Sequence, residues 1–233
     1  MLPDLIAYDE ERQLLIIEAL DYGWLRLDRS DLRSRWSIEV FGRVATAVAR
    51  WHRESETLVD LPVAKPWLLQ ALDGHRLEAF ERRSDLADLL DRILNDPELH
   101  GALASTRRLW RNDAVIHGDI RLSNVFFHTD GAVRLIDWET GGRGDARWDV
   151  AGLLQELHSA EVQQGISTAE HRSKVRAAAE IDESDIADFV AARLILRAIQ
   201  LQSWPEGTDA LVDAHLEIAR SVAAHGASVM ASS

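Results

Sequence analysis

The sequence predicts an α+β fold, a mainly helical body that holds one small β-hairpin and is preceded by another. Three observations predict it. Apolar residues recur at three- and four-residue steps over long stretches after Asp31, the spacing of a helix with one buried face. Short apolar runs bounded by turn residues occur from Leu5 to Ala19 and from Ala114 to Ile136, where they read as strands. At 46% apolar residues over 233, the chain can bury the core of one domain, or of one domain with a small appendage.

The elements follow in order. Leu5-Ile6-Ala7-Tyr8 reads as a strand, Asp9-Glu10-Glu11 as a turn and Gln13 to Ala19 as a second, buried strand. Asp21-Tyr22-Gly23 breaks the pattern. From Asp31 to about Glu54, Ile38, Phe41, Val44, Ala45, Val48 and Trp51 share a helical face. Pro62 and Pro66 bracket a loop, and helical spacing resumes from Leu77 to Leu94 and from Glu98 to Trp110. Ala114-Val115-Ile116 is a short apolar run. Val125-Phe126-Phe127 and Ala132 to Ile136 form a hairpin around Thr129-Asp130-Gly131, where glycine takes a positive φ cheaply. A glycine-rich loop (GGRGDARWD) follows. Helices are then expected near 149–160, 168–180, 184–203 and 208–225, with Ser184 and Thr208 as N-caps.

Composition excludes several functions. With 39 acidic against 26 basic residues the net charge is −13, which repels a phosphate backbone and argues against nucleic acid as a partner. Without cysteine there are no disulfides, thiolate metal sites or cysteine nucleophiles. No apolar run approaches the roughly 18 residues of a membrane span, and the acidic N-terminus is unlike a secretory signal, so no membrane association and a cytoplasmic location are expected.

The segment that carries chemistry is VIHGDIRLSNVFFHTDGAVRLIDWE, residues 115–139. A hairpin returns its end beside its beginning, which brings Asn124 and Asp137 together with Asp119 on the loop just upstream. Oxygen ligands from two strand ends suit Mg²⁺, which takes one or two protein ligands and completes its shell with phosphate and water. Asp119 is left to accept a proton from an attacking hydroxyl. The remaining histidines, His52 among them, have no ligand spacing and read as surface or packing residues. Of the eight tryptophans, Trp138 beside Asp137 is the one to watch.

The run His117-Gly118-Asp119-Ile120-Arg121-Leu122-Ser123-Asn124 has the kinase catalytic-loop spacing H-x-D-x-x-x-x-N. Its His-Gly-Asp form is followed by Ile136-Asp137-Trp138-Glu139 and by Gly144-Asp145-Ala146-Arg147-Trp148-Asp149. Together these resemble the aminoglycoside phosphotransferase family, which has the protein-kinase-like fold and moves the γ-phosphoryl group of ATP to a hydroxyl. The resemblance implies that Asp119 is the catalytic base, that Asn124 and Asp137 hold Mg²⁺, and that Asp149 opens a helix bracing the catalytic loop with His117. Ala49-Arg50-Trp51-His52 is similar to the family's helix before the catalytic region. Glu18-Ala19-Leu20 falls where the adenine-binding hinge would lie. Arg121, Glu139 and Arg143 are candidate phosphate or substrate contacts, with Gly141 to Gly144 belonging to the activation-segment region.

The implied organisation is a remnant N-lobe hairpin and hinge at 1–22 and a helical C-lobe at 23–233, with the catalytic loop at 115–125 and the metal-binding hairpin at 125–139. No glycine-rich phosphate loop precedes the hinge. The only lysines, Lys65 and Lys174, lie downstream of it, so the chain is expected to be a truncated member. Its roof would come from a protein partner, a subunit supplying the N-lobe or a lyase of a natural-product pathway, or from a homodimer. The acceptor would be Ser/Thr of a precursor peptide or a small aminoglycoside-like molecule, and the acidic surplus fits a cationic one. Residues 155–180, where the family places substrate helices, carry mixed charge. The alternative is a pseudokinase, a binding or regulatory module without turnover.

Overall fold

The computed structural model describes residues 4–9, 14–28, 37–58, 60–72, 82–205 and 207–231. The expected turn at Glu10 and Glu11, the start of the first long helix at 31–36, and residues 77–81 of the next lie outside the described residues.

The N-terminal strands form as expected. β1 (Leu5–Asp9) and β2 (Leu14–Ile17) pair antiparallel in a two-stranded sheet of their own. The hairpin of β5 (Val125–His128) and β6 (Val133–Leu135) also forms, with Val125 opposite Leu135. It gains a third strand, β3 (Trp24–Arg26), antiparallel to β5. Three residues beside the Tyr22-Gly23 break are too short a run to show period-two alternation, so β3 is invisible to pattern reading.

The glycine-rich loop is not a loop throughout. Gly142–Gly144 is strand β7, antiparallel to β4 (Ala114–Ile116). On its other side Arg143 N donates to Pro62 O at 2.8 Å and Ala64 N to Arg143 O at 2.7 Å. Glycine is what lets this strand fit between its neighbours. A Cβ on Gly144 would lie 2.4 Å from Ile116 Cδ1, and one on Gly142 2.4 Å from Pro62 O. Glycine-rich sequence reads as irregular backbone because it carries no strand propensity.

Eight helices are described: α1 (Ile38–Glu54), α2 (Trp67–Ala71), α3 (Ser84–Asn95), α4 (Pro97–Leu109), α5 (Ala146–Gln164), α6 (Ala169–Ala179), α7 (Glu183–Ser203) and α8 (Asp209–Ala231). α1 starts at Ser37, whose Oγ accepts from Val40 N at 3.3 Å, and it buries Phe41, Val44, Ala45 and Val48, the face its periodicity marked. Thr208 caps α8 through Leu211 N as expected. α7 begins at Glu183 behind Asp182, so Ser184 sits inside the first turn instead of capping it. α5 begins at Ala146 with Asp145 as cap, one turn before Asp149.

α7 is the axle of the core, packed against α3, α4, α5 and α8 and buried all round. Phe189, Leu194, Ile195 and Ala198 have no exposure. Burial of each large side chain is worth about 1.5–3 kcal/mol. No helix among the described residues is long and apolar enough to cross a membrane.

Candidate active site

The loop between β4 and the short 3₁₀ turn at Leu122–Asn124 carries His117, Gly118 and Asp119. Gly118 has φ +83°, and a Cβ there would lie 2.6 Å from Thr140 O, so glycine is required. Buried side chains hold the polar backbone of this loop from below. Asp149, 1% exposed, accepts from His117 N at 2.8 Å and Gly118 N at 2.9 Å. Its Oδ2 also faces His52 Nε2 at 2.9 Å. Burial pushes the Asp149 carboxyl up, but the His52 bond and charge and the loop amide outweigh it and hold it below the usual carboxylate range. Asp149 is therefore neither the helix's first residue nor a cap.

Four further side chains complete the cradle. Trp148 Nε1 donates to Gly118 O at 2.8 Å, and Arg193 of α7 donates to Gly118 O at 3.2 Å and Ile120 O at 3.0 Å. Thr140 Oγ1 donates to His117 O at 3.0 Å, and Glu156 accepts from Leu122 N at 3.1 Å. The sequence assigns no role in bracing the loop to any of these residues or to His52. Arg193 carries a signal all the same: it is a charge within an apolar helical stretch (FVAARLIL) and is 2% exposed. A buried charge implies partners.

The loop is tied to the hairpin's far end. His117 Nδ1 accepts from Asp119 N at 3.3 Å, so the proton sits on Nε2 and is donated to Ile136 O at 2.7 Å. Ile136 N in turn donates to Asn124 O at 3.1 Å. These bonds tie the backbone of Asn124 and of Ile136, the residue before Asp137, to the loop that carries Asp119. Asp137 has φ +67°, an uncommon conformation for a side-chain-bearing residue. Trp138 holds the turn: its Nε1 donates to Leu135 O at 2.9 Å, and its ring packs 4.6 Å from His117 and 5.2 Å from Trp51.

The Asp119 carboxylate is partly exposed and pairs with Arg121 Nε at 3.0 Å, with Arg193 Nη2 at 3.7 Å. Asn124 Nδ2 donates to Asp119 O at 3.2 Å, which leaves Oδ1 available as an oxygen donor, met among the described residues by Ser123 Oγ at 3.4 Å. Asp137 is exposed and has no hydrogen bond or ion pair among the described residues. One free carboxylate and one oriented amide oxygen fit a magnesium ion that shares its shell with phosphate. No group of three or more acidic or histidine residues among those described could hold a metal alone.

The other predicted site residues fall elsewhere. Glu139 is exposed and without a partner among the described residues. Arg143 does not reach toward the loop's carboxylates: its guanidinium donates to Asn112 O at 2.6 Å and Glu56 O at 3.0 Å, tying three chain segments together. Glu18 N donates to Asp4 O at 2.7 Å, closing the β1–β2 sheet, while Ala19 and Leu20 have no backbone hydrogen bond among the described residues.

A mainly helical lobe beneath small sheets, with an H-x-D-x-x-x-x-N loop braced by a buried aspartate, defines a kinase-like fold. Solved structures agree. A choline kinase, LicA from Streptococcus pneumoniae, is 14% identical, with 96% of this chain and 75% of that chain covered and a TM-score of 0.59. A Plasmodium vivax ethanolamine kinase is 15% identical over 95% of this chain and 69% of that one, at 0.57. An amicoumacin kinase in complex with AMP-PNP, Ca²⁺ and Ami is 16% identical over 82% and 60%, at 0.53. The sequence itself is more specific: residues 2–183 match the pattern of the phosphotransferase enzyme family, APH, and the chain belongs to that family. Comparison with curated proteins returned no match.

Proposed function

We propose that this phosphotransferase moves the γ-phosphoryl group of ATP to the hydroxyl of an alcohol, with Asp119 as general base. The observation that supports the reading is the pair of bonds, His117–Ile136 and Ile136–Asn124, that ties the loop of Asp119 to the segments carrying Asn124 and the unpaired Asp137. Asp119 accepts the hydroxyl proton as the acceptor oxygen bonds to the γ-phosphorus and the bond to ADP breaks. Asn124 and Asp137 hold Mg²⁺, which when bound neutralises charge on the phosphates. Asp149, Trp148 and Arg193 keep the loop rigid so that the base is positioned before substrate arrives. Ala19 and Leu20, with unspent backbone groups, are assigned to the adenine edge.

Neither lysine serves the phosphates in this reading. Lys174 lies 3.3 Å from Glu39 across α1 and α6, and Lys65 belongs to the loop before α2. The missing cation is assigned to a roof from further polypeptide, whether a partner subunit, a second copy or more of the same protein. The acceptor is read as a small molecule in preference to a precursor peptide, because the cavity against the loop measures about 340 Å³. The supporting parallel is that the similar folds belong to choline, ethanolamine and amicoumacin kinases.

Release of ADP from Mg-ATP in the presence of small alcohols, with the protein alone and with its co-purifying partners, tests the reading. Asp119→Ala should lower turnover by about 10²–10⁴-fold. Turnover that persists in this variant contradicts it. One observation favours a second reading, a nucleotide-binding module without turnover: the Arg121 side chain already pairs with Asp119. Mg-ATP binding with no ADP release under any condition would select that reading.

A further inference from the structure

The cavity against the catalytic loop is walled by Arg121 and Ser123, by Glu156 and Ser159 of α5, by Arg197 of α7, and by Trp204. Its polar groups differ in whether the protein already satisfies them. Glu156 accepts from Leu122 N and from Gln155 Nε2, both at 3.1 Å. Asp28 at the rim is paired with Arg26 at 2.6 Å. Ser159 bonds to Gln155 and His215, both at 2.9 Å. Arg197 stands apart. Its Nε is buried without a partner, and the guanidinium makes no hydrogen bond or ion pair among the described residues. Burial disfavours its charge while the Glu156 and Asp119 carboxylates favour it, and a guanidinium keeps its proton; neither carboxylate bonds to it, so the site contains a buried cation with unspent hydrogen-bond donors.

Trp204 argues in the same direction. A tryptophan face is a good receptor for an ammonium group. This one is already flanked by two guanidiniums, Arg197 at 4.8 Å and Arg121 at 5.3 Å from the ring centroid. A cationic acceptor would meet both. The net charge of −13 points to a cationic acceptor, but the unspent hydrogen-bond donors in this cavity belong to a guanidinium.

We propose that the cavity binds an oxyanion, carboxylate or phosphate, on a hydroxyl-bearing small molecule, with Arg197 and Arg121 as its receptors. The inference rests on the phosphotransferase reading above and names its acceptor class. Arg121 pairs with Asp119 at 3.0 Å, so an acceptor anion competes for that guanidinium. Binding therefore draws Arg121 off the base and leaves Asp119 to the incoming hydroxyl. An alcohol without the anion leaves the Arg121–Asp119 pair in place.

Calorimetric titration of the full chain with glycerate, glycerol 3-phosphate, glycerol and choline tests this, with ADP release from Mg-ATP read in parallel. At least one anionic alcohol should bind more tightly than glycerol and choline, and the tighter of the two identifies carboxylate or phosphate as the source. Arg197→Gln should weaken that binding by about tenfold or more, the loss of a charge-assisted hydrogen bond. Arg197→Lys, which keeps the charge without the planar fork, should bind with intermediate affinity and covers the case in which Arg197→Gln fails to fold. Preference for choline, equal binding of glycerol and its anionic analogues, no binding of either anion, or binding unchanged in both Arg197 variants would overturn the proposal. Anion binding without any ADP release would leave this site standing and remove the phosphotransferase reading, whereas turnover of choline alone would do the reverse.

Discussion

The catalytic loop and the segment after β2 are opposites in how the protein treats their backbone. From His117 to Leu122, peptide groups bond to side chains of α5 and α7 and to Thr140. From Ile17 to Tyr22 the chain is largely exposed, with Ala19 and Leu20 making no backbone hydrogen bond among the described residues. The first region is prepositioned, as a site of chemistry must be, because geometry held in advance is not lost to reorganisation. The second retains free donors and acceptors, as a surface that docks something else would.

The largest break in this contrast should come from Asp149→Ala. It leaves two buried amides and His52 without their shared acceptor, a loss of about 3–5 kcal/mol in urea unfolding. A change below about 1 kcal/mol would mean that the loop is held by something else. The next effect is a dependence on pH. Burial, with Arg172 nearby, lowers His158 from 6.5 to about 4, so the folded protein binds fewer protons than the unfolded chain between those values. Stability contributed by neutral His158 is then present above pH 6.5 and lost as pH falls toward about 4, by up to about 3 kcal/mol. His158→Gln should flatten that slope in a pH series of unfolding curves. The depressed Asp149 adds a further loss only below the ordinary carboxylate range, as pH falls through its folded value.

What the sequence revealed, and what it hid, follows the same division. His117, Asp119, Asn124 and Asp137 can be proposed from sequence because the chemistry expected of them fixes both residue type and spacing, and the hairpin joining them has a turn signal. Arg143 was misread because its charge suggested phosphate, when its guanidinium holds backbone carbonyls of Asn112 and Glu56. β7 was hidden because Gly142 and Gly144 are chosen for lack of volume, which no propensity scale registers. Arg193 and His52 act on a loop far away in sequence, and only the packing of α7 and α1 brings them there.

At the weak end of the series, Tyr22→Ala should shift unfolding by no more than about 0.5 kcal/mol, since the side chain is fully exposed. A larger loss would place this segment in the folded core and erase the contrast.

The central claim is that the end of the β5–β6 hairpin grips a metal-bound nucleotide beside Asp119. Calorimetric titration of Mg-ATP into the wild-type chain and Asp137→Asn tests it most directly. The account predicts binding that needs Mg²⁺ and weakens by about tenfold or more when the free carboxylate is removed. Equal affinity in the two proteins, or ATP binding indifferent to Mg²⁺, would contradict it.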